Sequence, residues 1–144
     1  MKPSAQFWDG IAPKYVKQPI SDMDAYEQTL ERIVSYLTPE ARVLELGCGT
    51  GGTALRLAPY AGSILATDFS AGMIAQAEAR DGAKNARFQC ADTFDPEFKD
   101  GAFDVVLGLN LFHLLEDAPR AYVRIHDLLA ADGLLIVKTP CLKG

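Results

Sequence analysis

The sequence predicts an α/β protein in which a mainly parallel sheet carries helices on both faces. From residue 42 onward, short apolar runs alternate with segments of helical periodicity, and a glycine-rich turn joins the first run to the first such segment. Strands buried on both faces appear as continuous apolar runs, and right-handed crossovers between them give a doubly wound sheet. The predicted strands are 43–46, 63–67, 86–90, 103–109 and 134–138, and the helices between them are 52–58, 71–80 and 118–129.

Residues 1–40 are predicted to form a helical flap or cap, and residues 41–144 the core. Apolar residues between positions 5 and 16 recur at helical spacing around Pro13, which favours one or two short helical turns. A firmer helix is expected to begin near Ser21, a residue type common at N-caps, and to end before Pro39. A packing role is favoured for this second helix.

The composition favours a single globular domain that binds small molecules. The chain has 144 residues, of which 49% are hydrophobic, and a formal net charge of -5. A nucleic-acid surface needs clustered Lys and Arg, so this balance argues against one. The N-terminus lacks the apolar core of a signal peptide, and no apolar run approaches the roughly 20 residues that span a bilayer. We therefore expect a cytoplasmic protein without stable membrane insertion.

The three cysteines, Cys48, Cys90 and Cys141, are widely spaced and include no CxxC pair. Neither a disulfide framework nor a zinc site is indicated by this spacing. We expect no metal site, and a reducing compartment fits the odd number of thiols.

The glycine-rich turn is predicted to bind a cofactor that contains a nucleoside. Glycine permits positive φ and lets the backbone approach a ligand, and the helix that follows offers unpaired N–H groups. The turn satisfies two patterns: Gly47-x-Gly49-x-x-Gly52, which is typical of dinucleotide sites, and Glu45-x-Gly47-x-Gly49-x-Gly51, which is typical of sites for S-adenosylmethionine. The turn alone does not decide between them, and a third interpretation is a tight turn that serves only packing.

Polar residues follow three further strand ends. Asp68 lies about 20 residues past the glycine turn, where a carboxylate can accept hydrogen bonds from ribose hydroxyls, although it can also cap the next helix together with Ser70. Asp92 is placed either to accept the exocyclic amine of adenine or to form a loop turn. Asn110 lies either near the reactive end of the cofactor or simply in a loop. The ordered series favours a cofactor crevice, and a nicotinamide enzyme would not require Asp92 and Asn110.

With these residues the chain resembles the class I S-adenosylmethionine-dependent methyltransferases of the small-molecule or lipid type. The resemblance covers roughly residues 41–138. The motifs that carry it read VLELGCGTG at 43–51, ATDFSAGMI at 66–74, CAD at 90–92, FDVV at 103–106 and LLAADGLL at 128–135. It implies a Rossmann-like sheet in the order 3-2-1-4-5, S-adenosylmethionine as cofactor, S-adenosylhomocysteine as product, and a small-molecule or lipid methyl acceptor.

The same resemblance implies which residues surround the cofactor. Asp68 would hold the ribose, Asn110 would lie near the methionine portion, and Tyr15 would close over the site from the flap. The glycine loop would face the amino-acid part of the cofactor. The members of the implied site in this loop are Glu45, Gly47, Cys48 and Gly49.

For the adenine, the resemblance implies a separate group of side chains. Phe69 and Met73 would flank the ring, and Asp92 with Thr93 would meet its polar edge. These roles are expectations from the family and not from spacing.

The reaction itself makes few demands on the sequence. Methyl transfer from a sulfonium is an in-line displacement in which the cofactor already carries the activated group, so the protein mainly positions the reactants. A base would help if the acceptor is a hydroxyl or an acidic carbon, and His113 is the candidate to test, although a His that bonds loop backbone groups is favoured. His126 is assigned no function.

Members of the resembled family continue past the fifth strand with two further strands, whereas this sequence stops at residue 144. We therefore expect the fifth strand, which includes Leu134 and Ile136, to be an exposed edge that favours self-association, a covering segment or poor solubility. Two functional alternatives stay open. One is an S-adenosylmethionine-binding fragment without turnover, and the other is an NAD(P)-binding oxidoreductase, for which the sequence lacks a Tyr-x-x-x-Lys pair.

Overall fold

The computed structural model describes residues 23–109 and 118–138, and within them a parallel sheet carries helices on both faces. The strands are β1 (Arg42–Leu46), β2 (Ser63–Asp68), β3 (Ala86–Cys90), β4 (Phe103–Gly108) and β5 (Leu129–Val137), and the helices are α1 (Met23–Val34), α2 (Gly52–Leu57), α3 (Ala71–Glu78) and α4 (Ala118–Leu128). The order β3-β2-β1-β4-β5, with every neighbouring pair parallel, confirms the predicted Rossmann-like fold.

The central strand β1 explains why helices cover both faces. Successive side chains of a strand point to opposite faces, so Val43 and Leu44 enter different apolar clusters. The Val43 cluster takes in residues of α1, α2 and α3, and the Leu44 cluster takes in residues of α4. All of β1 after Arg42 is buried, which is the burial that a strand covered on both faces requires.

The parallel register brings the loops of the site to one edge of the sheet. Leu46 at the end of β1 pairs with Thr67, and Asp68 at the end of β2 pairs with Cys90 at the end of β3. The segments after these three strands therefore start side by side. Ligands of open α/β sheets bind in the crevice outside the carboxyl ends of the strands.

The predicted boundary between α4 and the last strand is wrong. The helix ends at Leu128 and β5 begins at Leu129, five residues before the predicted strand. Phe103 pairs with Leu129 and Val105 with Leu134, so two steps along β4 correspond to five along β5. Residues 130–133 lie in the resulting bulge inside the strand. Their turn-like composition makes that part of the strand resemble a loop. The other helix and strand ends from residue 42 onward lie within two residues of prediction, whereas α1 ends at Val34, about four residues before its predicted end.

Helix α1 falls in the predicted flap and packs against the core. Ile33 is buried in the same cluster as Leu57 of α2. The Tyr26 hydroxyl lies 2.8 Å from Thr53 Oγ1, which joins α1 to α2 by a hydrogen bond. These contacts agree with the favoured packing role. The flap boundary at residue 40 stays a prediction, because residues 1–22 lie outside the described part.

Strand β5 is the last strand of the sheet as far as residues 23–109 and 118–138 show. Leu134 on this strand is 43% exposed, which is high for a large apolar side chain. Self-association through this edge stays a prediction. None of the helices in the described ranges is long and apolar enough to cross a membrane.

Candidate functional site

The loop between β1 and α2 adopts a conformation that needs glycine. Gly47, Gly49 and Gly51 have φ angles of 70°, 58° and 84°, in a region that other residues rarely adopt. The Gly51 amide donates to the Cys48 carbonyl at 3.1 Å and closes a four-residue turn with Gly49 in its second position. A Cβ on Gly51 would lie 2.7 Å from Phe88 Cε1, so packing also demands glycine there.

Asp68 ties the end of β2 to this loop. Its Oδ2 accepts a hydrogen bond from the Gly49 amide at 2.9 Å, and its Oδ1 accepts one from the Ser70 amide at 2.9 Å. Ser70 is the N-cap of α3, and its Oγ accepts from the Met73 amide. The structure therefore shows Asp68 supporting the start of α3. A carboxylate has about four lone-pair sites, so Asp68 can accept further hydrogen bonds, and its ribose role stays a prediction.

Glu45 lies at the end of β1 with its carboxyl group buried, at 3% exposure. Its Oε1 has no hydrogen-bond partner within the described residues. Burial and, to a smaller extent, the neighbouring Asp68 carboxylate together raise the pKa of Glu45 to about 8. A buried polar atom without a partner costs free energy, and such atoms in native proteins call for a functional or solvent explanation. Glu45 Oε1 is therefore an acceptor that a bound ligand can use.

Cys48 contributes a backbone hydrogen bond to the loop, and its thiol is not reactive. Its amide donates to the Thr67 carbonyl at 2.8 Å, and its Sγ lies 3.7 Å from the Gly49 carbonyl oxygen. Burial raises the pKa of the Cys48 thiol, and the carboxyl groups of Glu45 and Asp68 raise it further. The thiol is the form present at neutral pH, so Cys48 is no nucleophile.

Beyond β3, the structure distinguishes two neighbouring residues. Asp92 is exposed, its Oδ1 accepts from the Phe94 amide at 2.9 Å, and its carbonyl accepts from the Asp95 amide at 3.0 Å. Asp92 is thus a turn residue, and its contact with adenine stays a prediction. Thr93 is 3% exposed, and its Oγ1 has no partner in the described ranges. Of the two, Thr93 is the one with a buried polar atom left for a ligand.

The remaining predicted residues differ in how far the structure describes them. Phe69 is half-buried at the start of the segment between β2 and α3. Met73 is 2% exposed, so little of its side chain is open to a ligand in this conformation. Tyr15, Asn110 and His113 lie outside the described residues, and their roles stay predictions.

Two residues that support the loop were not singled out from the sequence. Arg80, two residues past α3, donates from Nε to the Thr50 carbonyl at 2.7 Å and from Nη2 to Thr50 Oγ1 at 3.2 Å. Phe88 on β3 lies against Gly51. These residues are 30 and 37 positions away from their partners, and neither has a motif that would have identified it.

The Asp68 carboxylate makes the site suitable for a cationic ligand. The buried carboxyl of Glu45 lies near it, since Asp68 contributes to the raised pKa of Glu45. Among residues 23–109 and 118–138, no group of three His, Cys, Asp or Glu side chains is close enough to hold a metal ion. The glycine backbone, together with the Glu45 and Thr93 oxygens that have no partner in the described part of the chain, fits a ligand with a cationic amino-acid portion and a polar ring. S-adenosylmethionine is a ligand of this kind.

Comparison with known proteins decides the family. The family model described as "Methyltransferase domain" matches residues 43–133, which include the glycine loop, Asp68, Asp92 and Thr93. This chain belongs to that methyltransferase family. The family membership confirms the predicted class I S-adenosylmethionine-dependent methyltransferase family and the predicted cofactor, and it gives no support to the alternative of an NAD(P)-binding oxidoreductase.

Relatives and solved structures extend the match beyond the family model. A malonyl-[acyl-carrier protein] O-methyltransferase of Geobacter sulfurreducens is 37% identical over 125 residues, covering 79% of this chain and 47% of the relative. A trans-aconitate 2-methyltransferase of Deinococcus radiodurans is 36% identical over 105 residues, covering 71% of this chain and 39% of the relative. The structure of the DhpI–SAH complex superposes with a TM-score of 0.75 and 26% identity, covering 91% of this chain and 64% of DhpI. The chain thus spans less than half the length of these two curated relatives.

Proposed function

We propose that this chain is the cofactor-binding core of an S-adenosylmethionine-dependent methyltransferase that acts on a small-molecule or lipid acceptor. The observation that carries the proposal is the buried Glu45 Oε1, which lies next to Asp68 and has no hydrogen-bond partner among the described residues, immediately before a loop of glycines with positive φ. A carboxyl group in this position can accept a hydrogen bond from an ammonium group. The Asp68 carboxylate favours a cationic ligand, and a cation bound beside Glu45 would favour the ionised form of its carboxyl group.

In this proposal the glycine loop and the strand ends contact different parts of the cofactor. Gly47, Cys48 and Gly49 contact the amino-acid portion, since glycine leaves the backbone open to close approach. Asp68 accepts from the ribose through lone pairs that its two backbone hydrogen bonds leave over. The other proposed contacts, which include residues outside the described ranges, are Tyr15, Phe69, Met73, Asp92, Thr93 and Asn110.

The bound cofactor supplies a methyl group that is already activated on a sulfonium. The contribution of the chain is orientation, which can lower the barrier by up to roughly 7–11 kcal/mol in well-aligned systems. Asp68 joins the loop to the start of α3 by two hydrogen bonds, which hold the two walls of the proposed crevice together. The neutral Cys48 thiol forms no covalent intermediate. If the acceptor must lose a proton, His113 is the proposed base.

The first acceptors to test are small carboxylic acids, free or carrier-bound. The two relatives described above are named for malonyl-[acyl-carrier protein] and for trans-aconitate, and both of these molecules contain carboxylate groups. The part of the chain that resembles them contains the proposed cofactor site. The proposal therefore extends their acceptor chemistry to this chain as a hypothesis.

A transfer assay tests the proposal directly. The protein is incubated with S-adenosylmethionine and either a malonyl thioester or trans-aconitate, and S-adenosylhomocysteine and the methyl ester are quantified by mass spectrometry. We expect product that disappears in Asp68→Ala. Cofactor binding without product from these acceptors or from a panel of amines, phenols and lipid headgroups would contradict the proposed activity and favour a binding fragment without turnover.

A further inference from the structure

Arg80 contacts the glycine loop from the far end of α3. Its guanidinium donates from Nε to the Thr50 carbonyl at 2.7 Å and from Nη2 to Thr50 Oγ1 at 3.2 Å. Thr50 is 7% exposed, so the guanidinium pairs with atoms that are largely removed from water. Because the donor is charged and the acceptor is buried, these hydrogen bonds belong to the stronger class in proteins.

The contact with Thr50 fixes more than one side chain. A trans peptide is planar, so its C=O and the following N–H point in opposite directions. Holding the Thr50 carbonyl therefore also orients the Gly51 amide, which donates to the Cys48 carbonyl at 3.1 Å and closes the turn. The Gly51 carbonyl in turn accepts from the Leu55 amide at 3.1 Å in the first turn of α2.

The two ends of α3 therefore support adjacent residues of the loop. At the N-terminal end, Asp68 accepts from the Gly49 amide while also holding Ser70, the N-cap. At the C-terminal end, Arg80 holds Thr50. Between them, Ala77 lies close to Gly51, where an added Cβ would come within 3.0 Å of the Ala77 Cβ.

We propose that Arg80 is a positioning residue for the cofactor, which keeps the Cys48–Gly51 turn in its binding conformation by holding the Thr50 carbonyl. The inference rests on the proposed function, since the turn matters only if the loop receives the cofactor. Arg80 acts through Thr50. It need not touch the cofactor, and its side chain belongs to no motif that the family resemblance carries.

Replacing Arg80 by methionine tests this role because Met keeps most of the aliphatic length and removes both hydrogen bonds. We expect the Kd for S-adenosylhomocysteine in Arg80→Met to rise about tenfold, as the loss of a charged hydrogen bond to a buried acceptor implies. Arg80→Lys retains one donor for the Thr50 carbonyl and is expected to recover part of the affinity. Arg87→Met, at an exposed arginine on β3, removes the same charge and is the matched control.

Hydrogen exchange measures the turn itself and does not depend on binding. The amide of Gly51 is expected to exchange at least several times faster in Arg80→Met than in the wild type or in Arg87→Met. Unchanged exchange at Gly51, or unchanged affinity in Arg80→Met, would overturn the role of Arg80. If the wild type binds and Arg80→Met binds equally well, only this inference fails. If the wild type itself does not bind, the proposed function fails, and the positioning role fails with it.

Discussion

The Asp68 carboxylate accepts a hydrogen bond from the Gly49 amide at 2.9 Å, across 19 positions of sequence. This contact joins the end of β2 to the glycine loop after β1. The other oxygen of Asp68 accepts from the Ser70 amide, so one carboxylate holds both walls of the proposed cofactor crevice. Because Asp68 supports the fold and also lies in the proposed cofactor site, replacing it should affect both stability and cofactor binding.

Asp68→Asn removes the negative charge of residue 68 and keeps the shape of its side chain. The amide keeps one acceptor oxygen, so one of the two backbone amides loses its partner, and we expect stability to fall by about 1–3 kcal/mol. The affinity for S-adenosylhomocysteine is expected to fall by about 10–100-fold, because charge-assisted hydrogen bonds are lost as well. Urea unfolding and calorimetry measure the two effects. Asp81→Asn, at an exposed site, is the control and should change neither.

Gly51→Ala tests whether the loop is built on glycine for steric reasons. The residue has a φ of 84°, and a Cβ there would lie 2.7 Å from two atoms of the Phe88 ring. Strain and overpacking together should destabilise the fold by about 2–5 kcal/mol in urea unfolding. The double variant with Phe88→Leu should recover part of this loss. Gly82→Ala, where a Cβ meets nothing within 4 Å, serves as control, and equal stabilities of the two alanine variants would contradict the account.

Glu45→Gln should flatten the pH dependence of stability. The folded state keeps the Glu45 proton up to a pKa of about 8, while the unfolded state releases it near the ordinary glutamate pKa of 4.5. The folded state therefore binds more protons in this window, and its stability falls as the pH rises from 4.5 to 8. The slope from this group approaches about 1.4 kcal/mol per pH unit. Gln stays neutral and removes that slope.

Urea midpoints at several pH values within this window measure the effect. Glu31→Gln, an exposed glutamate on α1, is the matched control and should keep the wild-type slope. Parallel pH profiles for Glu45→Gln and the wild type would show that the Glu45 carboxyl is ionised in the folded protein at neutral pH.

Thr93→Val distinguishes a ligand contact from a structural one. The Thr93 hydroxyl is buried without a partner in the described part of the chain, so replacing it by a methyl group costs the free protein nothing and can stabilise it by up to about 1 kcal/mol. If the hydroxyl meets the adenine edge, the affinity for S-adenosylhomocysteine falls about 3–10-fold. Thermal unfolding with and without the ligand measures both. Loss of stability in the free protein would point to a structural role instead.

Leu134→Lys tests the exposed edge of β5. Lysine on an edge strand opposes pairing with a second sheet, so this variant should shift the protein toward monomer in light scattering. Val123→Lys, on the exposed face of α4 with Val123 at 64% exposure, introduces the same charge away from that edge and should leave association unchanged. A wild type that is monodisperse and monomeric at high concentration would contradict self-association.

Local patterns made the positions of the strands and the glycine loop predictable from the sequence, whereas the strand order was implied by the family resemblance. Each buried strand forms an apolar run, and the positive φ angles of Gly47, Gly49 and Gly51 match the reason glycine was expected there. The end of β2 could be placed because Asp68 directly follows such a run. These features depend on neighbours in sequence, where periodicity and turn chemistry act.

Contacts between distant residues were not predictable in the same way. Nothing near Arg80 indicates that its side chain reaches Thr50, since an arginine past a helix end is common on protein surfaces. The direct passage from α4 to β5 was missed because the bulge residues resemble a loop. Asp92 and Thr93 were grouped at the adenine, yet only the structure shows that Thr93, and not Asp92, has a buried oxygen without a partner in the described ranges.

The central claim is that the acidic crevice next to the glycine loop binds S-adenosylmethionine, and calorimetric titration tests it most directly. S-adenosylmethionine and, separately, NADH are titrated into the wild type and into Asp68→Ala. We expect binding of S-adenosylmethionine alone, with an affinity that Asp68→Ala weakens. Binding of NADH, or no binding of S-adenosylmethionine by a wild type that unfolds cooperatively, would contradict the account.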